Sequence, residues 1–321
     1  MDLREFIKDE ERRGEVIRVK KAVSSKYMAA AILKRFDGGP IVFFENLEGF
    51  KAVGNVAGSR MRLYRAFNAS EDNYHTKLLE AISSPQQPRV EEFPWDEYKK
   101  LDSLDDLPIL KHYEGDAGRY ITAGIVIAQS ADGTFQNESI HRLLKIGKDK
   151  LAIRVVPRHL YTMIKEGRRL RRNLKAVIAL GTHPAVMLAS SSSPPYRTSH
   201  LSVANKLLDG SLRVYRFLNS LHVPPAEILI YGEIKVDKLV NEGPFTDLTG
   251  TLDIVRKQPV IEIKGIFARE DPIYQALLPA SSEHRLLMGL PREALIKSYL
   301  ERVVPHVVKV RLTRGGCGWL H

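Results

Sequence analysis

NESIHRLLKIGKDKLAIRVVPRH, Asn137 to His159, is the stretch that decides the fold. Two apolar, β-branched runs, SIHRLLKIG and KLAIRVV, flank a Gly-Lys-Asp break too short for a helix, which predicts an antiparallel hairpin rather than a βαβ unit. If the arms pair that way, Asn137 and Arg142 on the first fall close to Arg154, Arg158 and His159 on the second. Convergent Arg, Asn and His suit an anionic cofactor or substrate. The same spacing also suits a plain hairpin with charged residues turned outward.

Further strands of the same kind follow on either side. YITAGIVIAQ, LKAVIALG, LRVYRFL, AEILIYGEI and PVIEIKGIFA are β-branched and bounded by Gly, Pro, Asn or Asp. Helical spacing interrupts them at about 160–168, 184–191, 199–209 and 291–303. This predicts an antiparallel sheet or barrel with appended helices, with His183 before Pro184 starting one helix and Ser199 or Thr198 capping another that has His200 in its first turn. Ahead of this region the chain has mixed α/β character: PIVFFENLEG and KAVGNVAG read as strands, MRLYRAFN and NYHTKLLEAI as helices. From Ser83 a Pro-rich, charged stretch without sustained period reads as a linker.

At 321 residues, 44% apolar and 27% charged, the chain can fill two or three domains. The charged N-terminus, MDLREFIKDEERRGEV, and the lack of a long apolar run predict a cytoplasmic protein with no membrane association. The single cysteine, Cys317, excludes an internal disulfide framework and a cysteine-based zinc cage. A net charge of +11 raises the question of nucleic acid. The run KEGRRLRRNLK, however, has no interleaved aromatic residue and no nucleic-acid motif beside it, so it reads as a solvated helix face or a subunit contact, with an anionic partner as the alternative. No GxGxxG follows a strand and no GxxxxGK[ST] occurs, which removes the two commonest nucleotide cradles.

EGPFTD, Glu242 to Asp247, places a carboxylate at each end of a Gly-Pro turn, one more than a turn needs for its own amides. Taken in order, NESIHR, IRVVPRH, ALGTHPA, VPPAEILIYGEI, EGPFTDLTG and IFAREDPIY resemble the UbiD-type decarboxylases, and LREFIKDEERRGEVIRV and VFFENLEGFKAVGNVAGSR resemble that family's first domain. The resemblance implies an α+β fold: an N-terminal α/β domain with linker over 1–115, a split β-barrel-like flavin-binding domain over 116–303, and a stub at 304–321 where the family's C-terminal oligomerisation domain is largely absent. It implies reversible non-oxidative decarboxylation of an aromatic or α,β-unsaturated acid with prenylated FMN. The alternative is a non-catalytic relative serving as a subunit or flavin-binding partner.

Carried over position by position, the resemblance implies a catalytic trio of Arg142, Glu242 and Asp247, with Asp247 as proton donor and Glu242 as its ionised, arginine-linked neighbour. Two stretches are implied to line the flavin and its phosphate: Asn137, Ser139, Ile140, His141 and Arg142, then Arg154, Val155, Val156, Arg158 and His159. A divalent ion, usually Mn2+ with K+ nearby, is implied at Asn137 and His159. The family's third ligand, a glutamate, falls here on His200, which removes a hard anionic donor from the site. Implied partners are a flavin prenyltransferase that supplies the cofactor and further copies of this chain in a homo-oligomer.

Overall fold

The computed structural model describes residues 2–218 and 220–313, so Cys317 lies outside the described residues. The N-terminal part runs α1 (Leu3–Arg12), β1 (Val16–Val19), α2 (Met28–Arg35), β2 (Ile41–Leu47), β3 (Phe50–Gly54), α3 (Arg60–Ala66) and α4 (Tyr74–Ser83). Helix α1 begins at a capping box: the Asp2 side chain accepts from Glu5 N while the Glu5 side chain accepts from Asp2 N. Its buried face, Leu3, Phe6, Ile7 and Glu10, follows helical spacing, and the three apolar members pack with Ile41, Phe43 and Val53 of β2 and β3.

The stretch expected as a linker carries β4 (Arg89–Glu92) and β5 (Tyr98–Leu101). These runs are too short and too charged to show a period; pairing to later strands supplies the order. Then follow β6 (Tyr120–Ile121), β7 (Ile125–Gln129), β8 (Gln136–Ile140), β9 (Leu143–Lys145), β10 (Lys150–Ile153), α5 (His159–Leu170), β11 (Leu174–Leu180), α6 (Pro184–Ser191) and α7 (His200–Leu207). The chain continues through β12 (Arg213–Phe217), β13 (Leu221–Val223), β14 (Ile228–Glu242), β15 (Phe245–Thr246), β16 (Leu252–Asp253), β17 (Arg256–Arg269), β18 (Ile273–Ala276) and α8 (Ser282–Leu300).

Among the described residues the strands form four sheets. The largest follows the order β6-β9-β10-β17-β14-β11-β7-β8, with β5 beside β17, and all its pairings are antiparallel. The small N-terminal sheet, β1-β2-β3-β18, is completed by a strand from far along the chain. The quoted hairpin forms as expected, with Leu143 opposite Ile153 and Arg154 N donating to Arg142 O. A break at His141 and Arg142 divides its first arm into β8, paired with β7, and β9, paired with β10. That break turns the Arg142 side chain out of the ladder and toward the site.

The long strands β14 and β17 form the frame. At Gly232 their register shifts, and a Cβ there would run into the Glu262 carbonyl. His183 caps α6 with Pro184 in its first turn, and Ser199 caps α7, both as the sequence predicts. Helix α8 departs from expectation. It starts at Ser282 rather than near Pro291, which lies inside it, and Ser281 is the cap that accepts from His284 N. Glu283, two residues past the cap, is buried and accepts from Ala57 N, so the first turn of α8 is gripped by the N-terminal part.

Candidate active site

Beyond Glu242 the chain leaves the β14/β17 ladder in a short finger. Gly243, at φ +94°, opens it. β15 and β16 pair with Phe245 opposite Asp253, and the ladder resumes with Glu242 opposite Arg256. Asp247 sits in the tip turn, where its N donates to Thr251 O and its Oδ1 accepts from Leu248 N at 2.7 Å. Asp116 braces the finger by accepting from Thr246 N at 2.9 Å.

Arg142 meets the finger from the opposite side. Its Nε and Nη2 donate to the two oxygens of Glu242, both at 2.9 Å, and Nη1 donates to Asp247 Oδ2 at 3.2 Å. A third carboxylate joins them, Asp253, whose Oδ2 accepts from Nη2 at 2.9 Å. The guanidinium also stacks over the Phe245 ring, 4.7 Å from its centre. Burial opposes the charge on Arg142, but the three carboxylates outweigh it and raise its pKa. Glu242 is completely buried behind the arginine, whereas the Asp247 side chain keeps 47% of its surface exposed.

Asp247 and Arg142 face a cavity of about 730 Å³, ample for a cofactor and a small substrate. Nine of the ten residues expected to bind the flavin line it: Asn137, Ser139, Ile140, His141, Arg142, Arg154, Val156, Arg158 and His159. Val155 does not; alternation along the chain turns it inward, and its N donates to Gln258 Oε1 at 2.7 Å. Burial pushes His141 down to about 4 despite its bond to the Arg154 carbonyl, so the ring is neutral at physiological pH. It bridges to Ser139 Oγ at 2.8 Å, and Ser139 in turn accepts from Asn137 Nδ2 at 2.9 Å.

Sequence reasoning missed one wall. The face of α8 made by His284, Leu287, Met288 and Arg292 lines the cavity opposite the hairpin. Their helical spacing was readable, but Pro291 disguised the helix. Burial pushes His284 down to about 4, against the pull of Asp247 nearby, and its Nδ1 accepts from Ala280 N. Arg292, whose pKa burial lowers and the nearby Arg158 lowers further, adds a cation to Arg142, Arg154 and Arg158. Four arginines around an otherwise largely apolar chamber fit a phosphorylated aromatic group such as a flavin nucleotide.

The expected metal ligands Asn137, His159 and His200 all line this cavity, with the two imidazole centres 6.2 Å apart. Among the described residues, however, no three His, Cys, Asp or Glu are grouped to hold a metal ion. Glu138 does not line the cavity; it is held at the start of α7, where it accepts from His200 N at 2.7 Å and Ser199 Oγ at 3.1 Å, with Oε2 3.6 Å from His200 Nδ1. Two imidazoles and an amide lack the charged oxygen that Mn2+ prefers, so the donor set does not fit the expected manganese site.

The chain belongs to the UbiD family of carboxy-lyases. Residues 82–282 match the 3-octaprenyl-4-hydroxybenzoate carboxy-lyase Rift-related domain, and residues 7–82 match the corresponding N-terminal domain. The chain is similar to the anhydromevalonate phosphate decarboxylases of Methanothermobacter thermautotrophicus, 39% identical over 96% of this chain and 73% of the relative, and of Methanocaldococcus jannaschii, 39% identical over 92% and 70%. Among solved structures it is similar to an evolved dimeric form of the UbiD-class enzyme HmfF from Pelotomaculum thermopropionicum in complex with prenylated FMN. That likeness has a TM-score of 0.95 and 34% identity over 99% of this chain and 76% of the other. The relatives are longer than this chain, which spans about three quarters of them. Among the described residues no helix is long and apolar enough to cross a membrane.

Proposed function

We propose that this carboxy-lyase removes CO2 from a phosphorylated α,β-unsaturated acid of the anhydromevalonate phosphate type, with Asp247 returning the proton to carbon. The observation that carries the reading is the unequal grip of Arg142: a two-pronged bond to buried Glu242 and a single, longer contact to the exposed tip carboxylate of Asp247. Loss of CO2 from an sp2 carbon leaves a carbanion with nothing to delocalise it, and the prenylated flavin, when bound, supplies that electron sink. The chain's own tasks are then to orient the acid, to keep one carboxylate ionised and to hold a proton on another.

Glu242 is the ionised member, because a buried carboxylate in a bidentate arginine fork has nowhere to place a proton without losing a bond. Asp247, at the cavity wall, can reach substrate. Arg154, Arg158 and Arg292 provide positive charge for two separate anionic groups, the cofactor's phosphate and the substrate's. A phosphorylated acid brings a second anion to that positive cavity, and relatives similar to this chain are named anhydromevalonate phosphate decarboxylases.

The test is to co-express the chain with a flavin prenyltransferase, purify it without oxygen, verify the cofactor by absorbance and mass, and measure CO2 release from anhydromevalonate phosphate. Turnover by the wild type and its loss by about a thousandfold or more in Asp247→Asn, with flavin content intact, is the expected result. A flavin-loaded Asp247→Asn variant with wild-type turnover would refute the assignment.

A further inference from the structure

Asp253 has no counterpart in the trio that the sequence singled out, yet it is bonded into the same cluster more firmly than Asp247. Its Oδ2 accepts from Arg142 Nη2 at 2.9 Å and lies 3.8 Å from Arg154 Nε. Its Oδ1 accepts from Ile254 N at 2.9 Å and from Arg256 Nη1. Burial opposes its charge, but Arg256 and Arg142 outweigh that and hold its pKa below the usual carboxylate range. Asp253 is therefore a fixed anion, shared among three guanidinium groups at the root of the finger whose tip is Asp247.

We propose that Asp253 is a positioning residue for the proton-donating carboxylate. By accepting a hydrogen bond from Arg142, it completes with Glu242 the neutralisation of that guanidinium and leaves Asp247 as the member free to carry a proton. The inference rests on the reading of Asp247 given under Proposed function.

Charge counting supports it. Arg142, Arg154 and Arg256 bring three positive charges; Glu242 and Asp253 bring two fixed negative ones. With Asp247 protonated the cluster is left one charge positive, which suits an anionic substrate. Removing the charge of Asp253 leaves two uncompensated cations beside Asp247, and these draw it into its ionised form. The groups around Asp247 are Arg142 from the β8–β9 junction, which donates to it; His284 from α8, on which its charge acts and which has Arg285 beside it; and, on the finger itself, Asp253 on β16 and Thr246, whose N is bound by Asp116 from ahead of β6. Asp116, His284 and Arg285 are unchanged by the substitution, and His284 is neutral at physiological pH, so the change comes from Arg142 and Arg154, the two cations that Asp253 faces on the hairpin.

Position matters as well as charge. Asp253 stands opposite Phe245, the residue stacked on Arg142, so its bond to Arg142 ties both arms of the finger to the hairpin. Among the bonds holding the finger, Asp116 anchors the outgoing arm and Asp253 the returning one. A carboxamide at position 253 can still accept from Ile254 N, so Asp253→Asn removes charge with little change of shape.

The experiment compares flavin-loaded wild type, Asp253→Asn, Asp253→Glu and Asp247→Asn with anhydromevalonate phosphate across pH 5 to 9, beside carboxyl 13C NMR titrations of the aspartate-labelled holoenzymes. In Asp253→Asn the limb along which kcat falls with rising pH moves down by roughly one pH unit. KM stays within about threefold, and the resonance missing from Asp247→Asn titrates at lower pH than in the wild type. Asp253→Glu, which keeps the charge, restores the limb to its wild-type place. A loss of kcat with neither limb nor resonance displaced would reduce Asp253 to a structural role and overturn the inference. So would an Asp253→Glu limb displaced as far as that of Asp253→Asn. If Asp253→Asn fails to load flavin, Asp253→Glu and Asp253→Ser decide the matter on the same two readouts. Full turnover by Asp247→Asn is a different failure, that of the donor assignment itself.

Discussion

Removing the cation at the centre of the cluster should cost stability before it costs chemistry, and the structure sets the size of the effect. Arg142→Met keeps the stem of the side chain and deletes the guanidinium. Glu242, with none of its surface exposed, loses both arms of its fork and remains a buried, unpaired carboxylate. That situation costs about 3–5 kcal/mol. Asp247 loses little, since 47% of its side chain is in water, and Asp253 keeps Arg256. Loss of the stacking over Phe245 adds about 1 kcal/mol.

The decisive partner is Glu242→Gln. In Arg142→Met/Glu242→Gln no charge is stranded, and most of the loss should return, leaving the double variant about 2–3 kcal/mol more stable than Arg142→Met alone. Urea unfolding of the flavin-free proteins at pH 7, followed by circular dichroism, measures this through midpoints at unchanged slope. A single variant within about 1 kcal/mol of wild type, or a double variant no better than the single, would show that Arg142 does not hold Glu242 as described.

Two other perturbations test the surroundings. Burial pushes His112 down to about 3, and neither ring nitrogen has a hydrogen-bond partner among the described residues, so the fold keeps it neutral while the unfolded chain protonates it near 6.5. Stability from this group is complete above pH 6.5 and lost as pH falls, by about 2 kcal/mol at pH 5; thermal melts of His112→Phe at pH 7.5 and 5 should show that loss removed, and an unchanged pH dependence would contradict it. His200→Glu should restore an anionic oxygen to the Asn137, His159 corner and raise Mn2+ affinity at least tenfold in calorimetry of the flavin-loaded protein, whereas equal affinity would mean that position 200 does not face the ion.

How much of this was legible in the chain depended on how local each signal is. The hairpin of Leu143 and Ile153 could be read because both arms and their turn lie in one short stretch. The caps at His183 and Ser199 were equally local. By contrast β5 and β18, short and without period, owe their existence to partners more than a hundred residues away, Ile266 opposite Leu101 and Ile273 opposite Lys51. No window of sequence contains those pairings. Helix α8 failed for a different reason: Pro291 is a good first-turn residue and a poor interior one, and tertiary packing of Leu287, Leu290 and Ala294 overrode its preference.

The site divides along the same line. The surplus acid in the Gly-Pro turn at Glu242 and Asp247 drew attention, but the trio with Arg142 followed from the family resemblance, because the hairpin's polar residues suit a plain ladder equally well. Asp253 was invisible because LTGTLDIVRK looks like an ordinary return from a turn. Only the pairing of Glu242 with Arg256 and of Phe245 with Asp253 brings that carboxylate back beneath Arg142. A finger must return to the sheet it left, so any residue that anchors its far arm is obliged to lie near the one that anchors its near arm. With Glu242 on the outgoing arm already bound to Arg142, the returning arm arrives at the same cation, and an acid there has a partner waiting. The third carboxylate is thus a consequence of hairpin geometry. It also leaves the tip as the one place in the cluster where a carboxylate is exposed enough to meet a substrate.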